Sequence, residues 1–175
     1  VAGGGVNRSG AQTELLEFTE RLQIPVVTTI TGQGAVEPNH PLSIGVIGDN
    51  GFHPHANKAL EESDLTIYLG SKVGSVVSIG WTFPSNRPDR KTVQVDIDPD
   101  VLANNTRNSI SISGDVKAVL TEVLNLTEGP VGDCAAWVEE VNAWRESFWK
   151  NVQPLLDERT SPVRPEPVVK ALNER

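Results

Sequence analysis

Apolar positions along the chain come in short runs that alternate with stretches of helical period, and a turn of small residues closes nearly every run. Pro25–Ile30 (PVVTTI) and Leu65–Leu69 (LTIYL) are rich in β-branched side chains and bounded by turn residues, the pattern of buried parallel strands. In Lys91–Asp100 (KTVQVDIDPD) the apolar positions Val93, Val95 and Ile97 give way to Asp96, Asp98 and Pro99, and proline lacks the N–H that would continue a ladder. Ser109–Ser113 alternates Ser and Ile, which suits a half-exposed edge strand. Val1–Ala2 reads as the stump of a further strand running into Gly3, Gly4 and Gly5, and Ser43–Gly51 as a glycine-spaced stretch with a short apolar middle.

Helical spacing fills the intervals. Ala11, Leu15, Phe18 and Leu22 recur on one face behind Ser9 as N-cap, and a further helix is expected from about His55 to Glu62. Gly114 and Asp115 open a helix whose Val116, Val119, Leu120, Val123 and Leu124 form one stripe. Residues 72–80 suit either a short helix or an irregular loop, and Trp81–Arg90, with Pro84 and Pro88, reads as a surface connection. The composition shifts at Thr127–Asp133, a linker. Beyond it Trp137, Val141, Trp144 and Phe148 give a long helix an aromatic face, expected to be packing surface rather than a cofactor box. Thr160–Pro167 is a proline-rich linker, and Glu166–Arg175 begins another helix. Strands alternating with helices define an α/β class with a parallel sheet.

Composition narrows the possibilities. A chain of 175 residues makes one domain with an appendage, and 38% apolar with 22% charged residues is a globular composition. No apolar run approaches the length of a membrane span. A formal net charge of −8 without a basic run argues against nucleic acid and anionic membrane as partners. Cys134 is the single thiol, so no internal disulfide forms and a reducing, cytoplasmic setting is expected. His40, His53 and His55 with one cysteine do not make a zinc set, and the pair flanking Pro54 is read as loop residues. Asn7, Asn104 and Asn125 open N-x-S/T triplets that matter only in a secreted chain. With no Met and a start in VAGGGV, the chain reads as cut from inside a longer protein.

The candidate chemistry sits at strand C-terminal ends, where open α/β sheets bind ligands and where a carboxylate commonly accepts from ribose hydroxyls. Gly3–Gly5 allow a tight turn and close approach to an anion, and Thr31–Gly34, Gly48–Gly51, Gly70–Ser71 and Asp96 are delivered to the same edge. A G-x-G-x-x-G dinucleotide fingerprint is not met, because Arg8 stands at the third glycine and no carboxylate closes the next strand. A tight βα turn without ligand and a solvated acidic turn remain equally open. No charge relay or paired carboxylates mark a catalytic acid, base or nucleophile.

Six stretches taken together, GGGVNRSGA at 3–11, IPVVTTITGQG at 24–34, HPLSIGVIGDNG at 40–51, ANKALEESDLTIYLGSK at 56–72, VDIDPD at 95–100 and SGDVK at 113–117, resemble the central domain of thiamine-diphosphate-dependent decarboxylases and carboligases. The similarity is greatest to the acetolactate synthase large-subunit group, and RPEPVVKALNER at 164–175 resembles the approach to that family's C-terminal, pyrophosphate-binding domain. The resemblance implies a doubly wound, Rossmann-like six-stranded parallel sheet with helices on both faces over residues 1–126, a linker and aromatic helix over 127–158, and a linker with the start of the next domain over 159–175. It implies that thiamine diphosphate and Mg2+ belong to domains outside this chain, that the chain is itself not catalytic, and that the parent is a homo-oligomer. The positions it assigns to the cleft are Gly3, Gly4, Gly5, Thr29, Ile30, Gly48, Asp49, Gly70, Ser71, Asp96 and Asp115. Where flavin-binding members resemble GxRFDDR, this chain has Gly70–Val76 with Lys72 and Val76 in place of the arginines, and neither reproduces the planar fork that grips phosphate. FAD, ADP or an empty cleft all fit. The competing readings are a stand-alone flavin or NAD module, the deacylase version of which lacks its zinc cysteines here, and a purely structural oligomerisation domain.

Overall fold

The computed structural model describes residues 1–51, 53–129 and 133–174. Strand β1 (Val26–Thr28) pairs in parallel with β2 (Ser43–Val46). Strands β3 (Leu65–Leu69), β4 (Lys91–Asp96) and β5 (Ile110–Ser113) form a second parallel sheet in that order, with Leu65 opposite Lys91 and Val93 opposite Ile110. Ala2 bridges the two, pairing with Thr28 on one side and Leu69 on the other. Its N–H donates to Val27 O at 2.8 Å and its carbonyl accepts from Thr29 N at 3.0 Å, while Leu69 N donates to Val1 O at 2.9 Å. The expected six-stranded sheet is therefore observed as sheets of two and three strands joined by one residue. The Val1 nitrogen donates to Ile67 O at 2.7 Å.

Alternation along the strands sends neighbours to opposite faces. Val26 joins Ala2, Leu69 and Val95 under α1 (Gly4–Ser9), α2 (Gln12–Leu22) and α4 (Val116–Leu126), where Val6, Leu15, Phe18 and Leu120 are buried. Val27 joins Ile44 and Ile47 on the other face, under Ala56 and Leu60 of α3 (Pro54–Glu62) and Val141 of α5 (Ala135–Asp157). The aromatic stripe packs as expected. Trp137 meets Trp144 edge-on at 5.7 Å, Lys58 lies 4.0 Å over the Trp144 ring, and Phe148 rests 4.6 Å from His55. Arg145 fastens α5 to the sheet by donating to Ser43 O at 2.6 Å and His40 O at 3.1 Å. Helix α6 (Pro165–Asn173) continues beyond it against α5, so helices cover both sides of the sheets with a helical extension. Among the described residues no helix is long and apolar enough to cross a membrane.

Several boundaries differ from the sequence reading for identifiable reasons. Ser9 is not an N-cap. It ends α1, its hydroxyl donates back to Gly5 O at 2.9 Å, and Gly10 at φ 64° separates α1 from α2. Strand β1 stops at Thr28 because the Thr29 hydroxyl accepts from Gly32 N at 3.1 Å and turns Ile30–Gly32 into a 3-10 turn. Residues 72–80 form no regular helix; they are turns in which Val73 and Ile79 hold positive φ. Of the two histidines read as loop residues, His53 stands just outside α3 as its N-cap, and His55 lies in the helix, because Pro54 starts α3 at once. His53 Nδ1 accepts from Val46 N at 3.0 Å, and buried His55 donates from Nε2 to Ile44 O at 2.8 Å. Residues 130–132 of the expected linker, and Arg175 of the terminal helix, lie outside the described residues.

Burial, with the charges of His53 and Arg145 beside it, pulls His55 from 6.5 to about 4 despite its bond to Ile44 O. The unfolded chain binds more protons between those values, so stability is full above pH 6.5 and lost as pH falls toward 4. We expect His55→Gln, whose amide can still donate to Ile44 O, to remove on the order of 2 kcal/mol of this acid-side loss. Melting temperatures of both proteins between pH 7 and 4 check it; parallel slopes would contradict it.

Candidate functional site

Where the strand order reverses, between β1 and β3, three backbone segments meet. The Gly3–Gly5 turn leaves Ala2 into α1, and Gly3 N donates to Leu69 O at 2.8 Å while Gly5 N donates to Gly70 O at 3.0 Å. A Cβ built on Gly3 would stand 2.2 Å from Gly70 O, one on Gly5 2.5 Å from Gly70 Cα, and one on Gly32 2.0 Å from Ala2 O. Gly70 itself sits at φ 60° with its N–H on Val95 O at 2.8 Å. The glycines thus bring chain against chain, and two of the three glycine amides that could cradle a phosphate are already bonded to the carbonyls of Leu69 and Gly70. Helix α1 has only six residues and no acidic or side-chain cap at its start.

The other expected positions are arranged around this contact. Thr29 is buried and caps the 3-10 turn, its hydroxyl also 3.1 Å from that of Thr31, and Ile30 next to it is 40% exposed. Gly4 approaches the Thr31 side chain. Gly48 lies one strand away at φ 94°, its N–H held by Asn57 Oδ1 at 2.9 Å and its missing Cβ replaced by Val76 O; Asp49 is exposed and donates its N–H to Val76 O at 3.0 Å. Buried Ser71 offers its carbonyl to Gln94 Nε2 at 3.0 Å. Asp96 is buried at the end of β4, with Oδ1 accepting from Asp98 N at 3.1 Å, and Asp115 caps α4 by accepting from Ala118 N at 3.1 Å. Gly3, Gly4, Gly5, Thr29, Ile30, Gly70 and Ser71 converge around the central bridge. Gly48 and Asp49 flank it beyond β1, and Asp96 and Asp115 beyond β3.

The set offers binding groups rather than reacting ones. Asp49 and the second carboxylate oxygens of Asp96 and Asp115 are anionic groups left to meet a ligand's hydroxyls. Among the described residues no group of three His, Cys, Asp or Glu side chains is placed to hold a metal ion. Gln94 was not singled out from sequence. It is fully buried and ties four segments, donating to Ser71 O and to Val101 O at 3.4 Å and accepting from Ala103 N at 2.9 Å and Asn108 Nδ2 at 2.8 Å. Its only sequence signal is an amide inside the apolar run VQV, which demands buried partners.

Parallel strands bridged at a glycine crossover and flanked by helices define a doubly wound α/β domain. The chain belongs to the family described as thiamine pyrophosphate enzyme, central domain, whose model matches residues 1–123. It is 35% identical over 182 residues to a probable acetolactate synthase large subunit of Methanococcus aeolicus, covering 98% of this chain and 29% of that protein. A probable acetolactate synthase large subunit of Methanocaldococcus jannaschii is 35% identical over 175 residues, covering 99% of this chain and 28% of that protein, and an acetolactate synthase of Arthrospira platensis is 38% identical over 128 residues, covering 71% and 22%. The chain spans under a third of the length of these relatives.

If the crossover is held by backbone contact, side chains there are excluded for steric reasons. Gly3→Ala, whose Cβ would overlap Gly70 O, should cost several kcal/mol, on the order of a core truncation or more. Gly74→Ala, with open space around the new methyl and ordinary φ, should be neutral or stabilise by about 0.4–1 kcal/mol. Urea melts of the two variants check this; equal effects would refute it.

Proposed function

We propose that this chain is the central domain of a thiamine-diphosphate-dependent enzyme of the acetolactate synthase type, and that its work is to hold and space the catalytic domains. The observation that carries the proposal is the alignment of 98–99% of the chain, at 35% identity, with 28–29% of two acetolactate synthase large subunits. In the whole protein a 2-keto acid such as pyruvate would lose carbon dioxide and join a second carbonyl compound, with thiamine diphosphate supplying the electron sink. That cofactor and its Mg2+ would be held by neighbouring domains of the same polypeptide. Residues 1–126 act as the central domain, 127–158 as the linking helix and 159–175 as the approach to the next domain, in a cytoplasmic homo-oligomer.

Within this reading the Val1–Gly3 segment is the first of six parallel strands in the order 3-2-1-4-5-6. Support comes from Ala2 paired on both sides, from the Val1 nitrogen bonded to Ile67 O, and from a cavity of about 460 Å3 between the N-terminal ends of β1 and β3, lined by Pro25, Leu65 and Ile67. The crevice above is read as a structural crossover rather than a flavin site, given the two bonded turn amides and Lys72 and Val76 in place of arginines. Asp96 at the end of β4 favours one second reading, an adenine nucleotide held by its ribose.

The full polypeptide containing this chain should form acetolactate from pyruvate with thiamine diphosphate and Mg2+, while the 175-residue chain alone should not. Failure of the full polypeptide would overturn the assignment. Melting of the chain with FAD, ADP, NAD or CoA should show no shift. A ligand at a hundredfold excess over its Kd would add about 2.7 kcal/mol, so a rise with FAD or ADP would restore the nucleotide reading.

A further inference from the structure

A second cavity, of about 600 Å3, opens at the other end of the sheet, beside the starts of β4 and β5 and away from the glycine crossover. A hollow of this size takes a small organic molecule. In a chain with 23 acidic and 15 basic residues, its lining carries Arg87, Arg90, Lys91 and Arg107 and no carboxylate. Two of these cations are occupied in building the rim. Arg87 pairs with Asp89 at 2.6 Å, and Arg90 donates to Ser63 O at 3.1 Å, Ser85 O at 2.7 Å and Glu61 O. The side chains of Lys91 and Arg107 have no such partner among the described residues, so their charge is available to something in the cavity.

The floor is polar and unsatisfied. Tyr68, 1% exposed, is among the residues lining the cavity, and its hydroxyl makes no hydrogen bond among the described residues. Burial pushes its pKa up, so it is a donor at every physiological pH. Asn108 uses its amide nitrogen on Gln94 Oε1 and Ser111 Oγ, and its Oδ1 is buried without a partner. Buried polar atoms are nearly always paired, and here a residue lining the hollow carries one that is not. Trp81, 65% exposed, and Phe83 complete the wall with two flat apolar surfaces.

We propose that this cavity binds a small organic anion, a carboxylate or phosphate carried on a planar ring. Lys91 and Arg107 face the anion, Trp81 and Phe83 take the ring, and the Tyr68 hydroxyl donates to the ligand. The site is independent of the crossover and of the parent's chemistry.

Calorimetric titration of the protein at low ionic strength with phenylacetate and with phenyl phosphate tests it and separates the two anion classes. At least one should bind saturably, with Kd below about 1 mM, and more weakly as salt rises. Tyr68→Phe should weaken that binding about tenfold or more, as expected for a lost hydrogen bond to a charged group. The same variant should melt no lower than the parent without ligand, since the hydroxyl it removes holds nothing in the fold. Arg107→Ala, an exposed substitution that carries the test even if Tyr68→Phe fails to fold, should weaken binding and flatten its salt dependence. The proposal is overturned if neither probe saturates, or if affinity is unmoved by both substitutions.

Discussion

The contact on which the rest of the structure depends is the passage of one backbone over another at Gly3, Gly5 and Gly70. Two parallel sheets share a single bridging residue, Ala2, and the chain must leave that bridge into α1 without displacing the turn that follows β3. Only residues without a Cβ allow it, because a methyl at Gly3 or Gly5 would lie inside the van der Waals radius of Gly70. The amides released by the turn are then satisfied by Leu69 and Gly70 carbonyls, which couples the two sheets through buried hydrogen bonds. Both hydrophobic clusters are arranged around this junction, Val26 and Val27 pointing to opposite faces from the strand beside it.

This arrangement separates the two ends of the sheet. At the C-terminal end, where related sheets hold nucleotides, glycines and capping side chains close the backbone on itself. Thr29, Asp96 and Asp115 each spend an oxygen on a neighbouring amide. At the N-terminal end the strands border two large cavities, one apolar and one cationic.

Much of the fold was legible because its signals are local. Leu65–Leu69 and Asp115 with its helix stand where alternation and capping put them, since β-branched runs and an Asx N-cap are decided within a few residues. The errors came from competition between local options. Ser9 bonds back into α1 instead of opening α2, and Pro54 makes helix start out of what reads as loop around His53 and His55. The glycines were expected to form a turn, whereas Gly3 caps α1 and Gly4 and Gly5 open it, and the sequence cannot distinguish a glycine that admits a ligand from one that admits another segment's backbone. Gln94 was invisible for the same reason: its four partners lie on loops that only the tertiary fold brings together.

The central claim is that the Gly3 and Gly5 amides are locked on the Leu69 and Gly70 carbonyls and not held open for a ligand. Native-state hydrogen exchange measures this directly. The account predicts that both amides are among the slowest in the protein and exchange only with global unfolding, far more slowly than Gly34 in its exposed turn. Exchange of Gly3 and Gly5 at the rate of Gly34, slowing on addition of FAD or ADP, would contradict it.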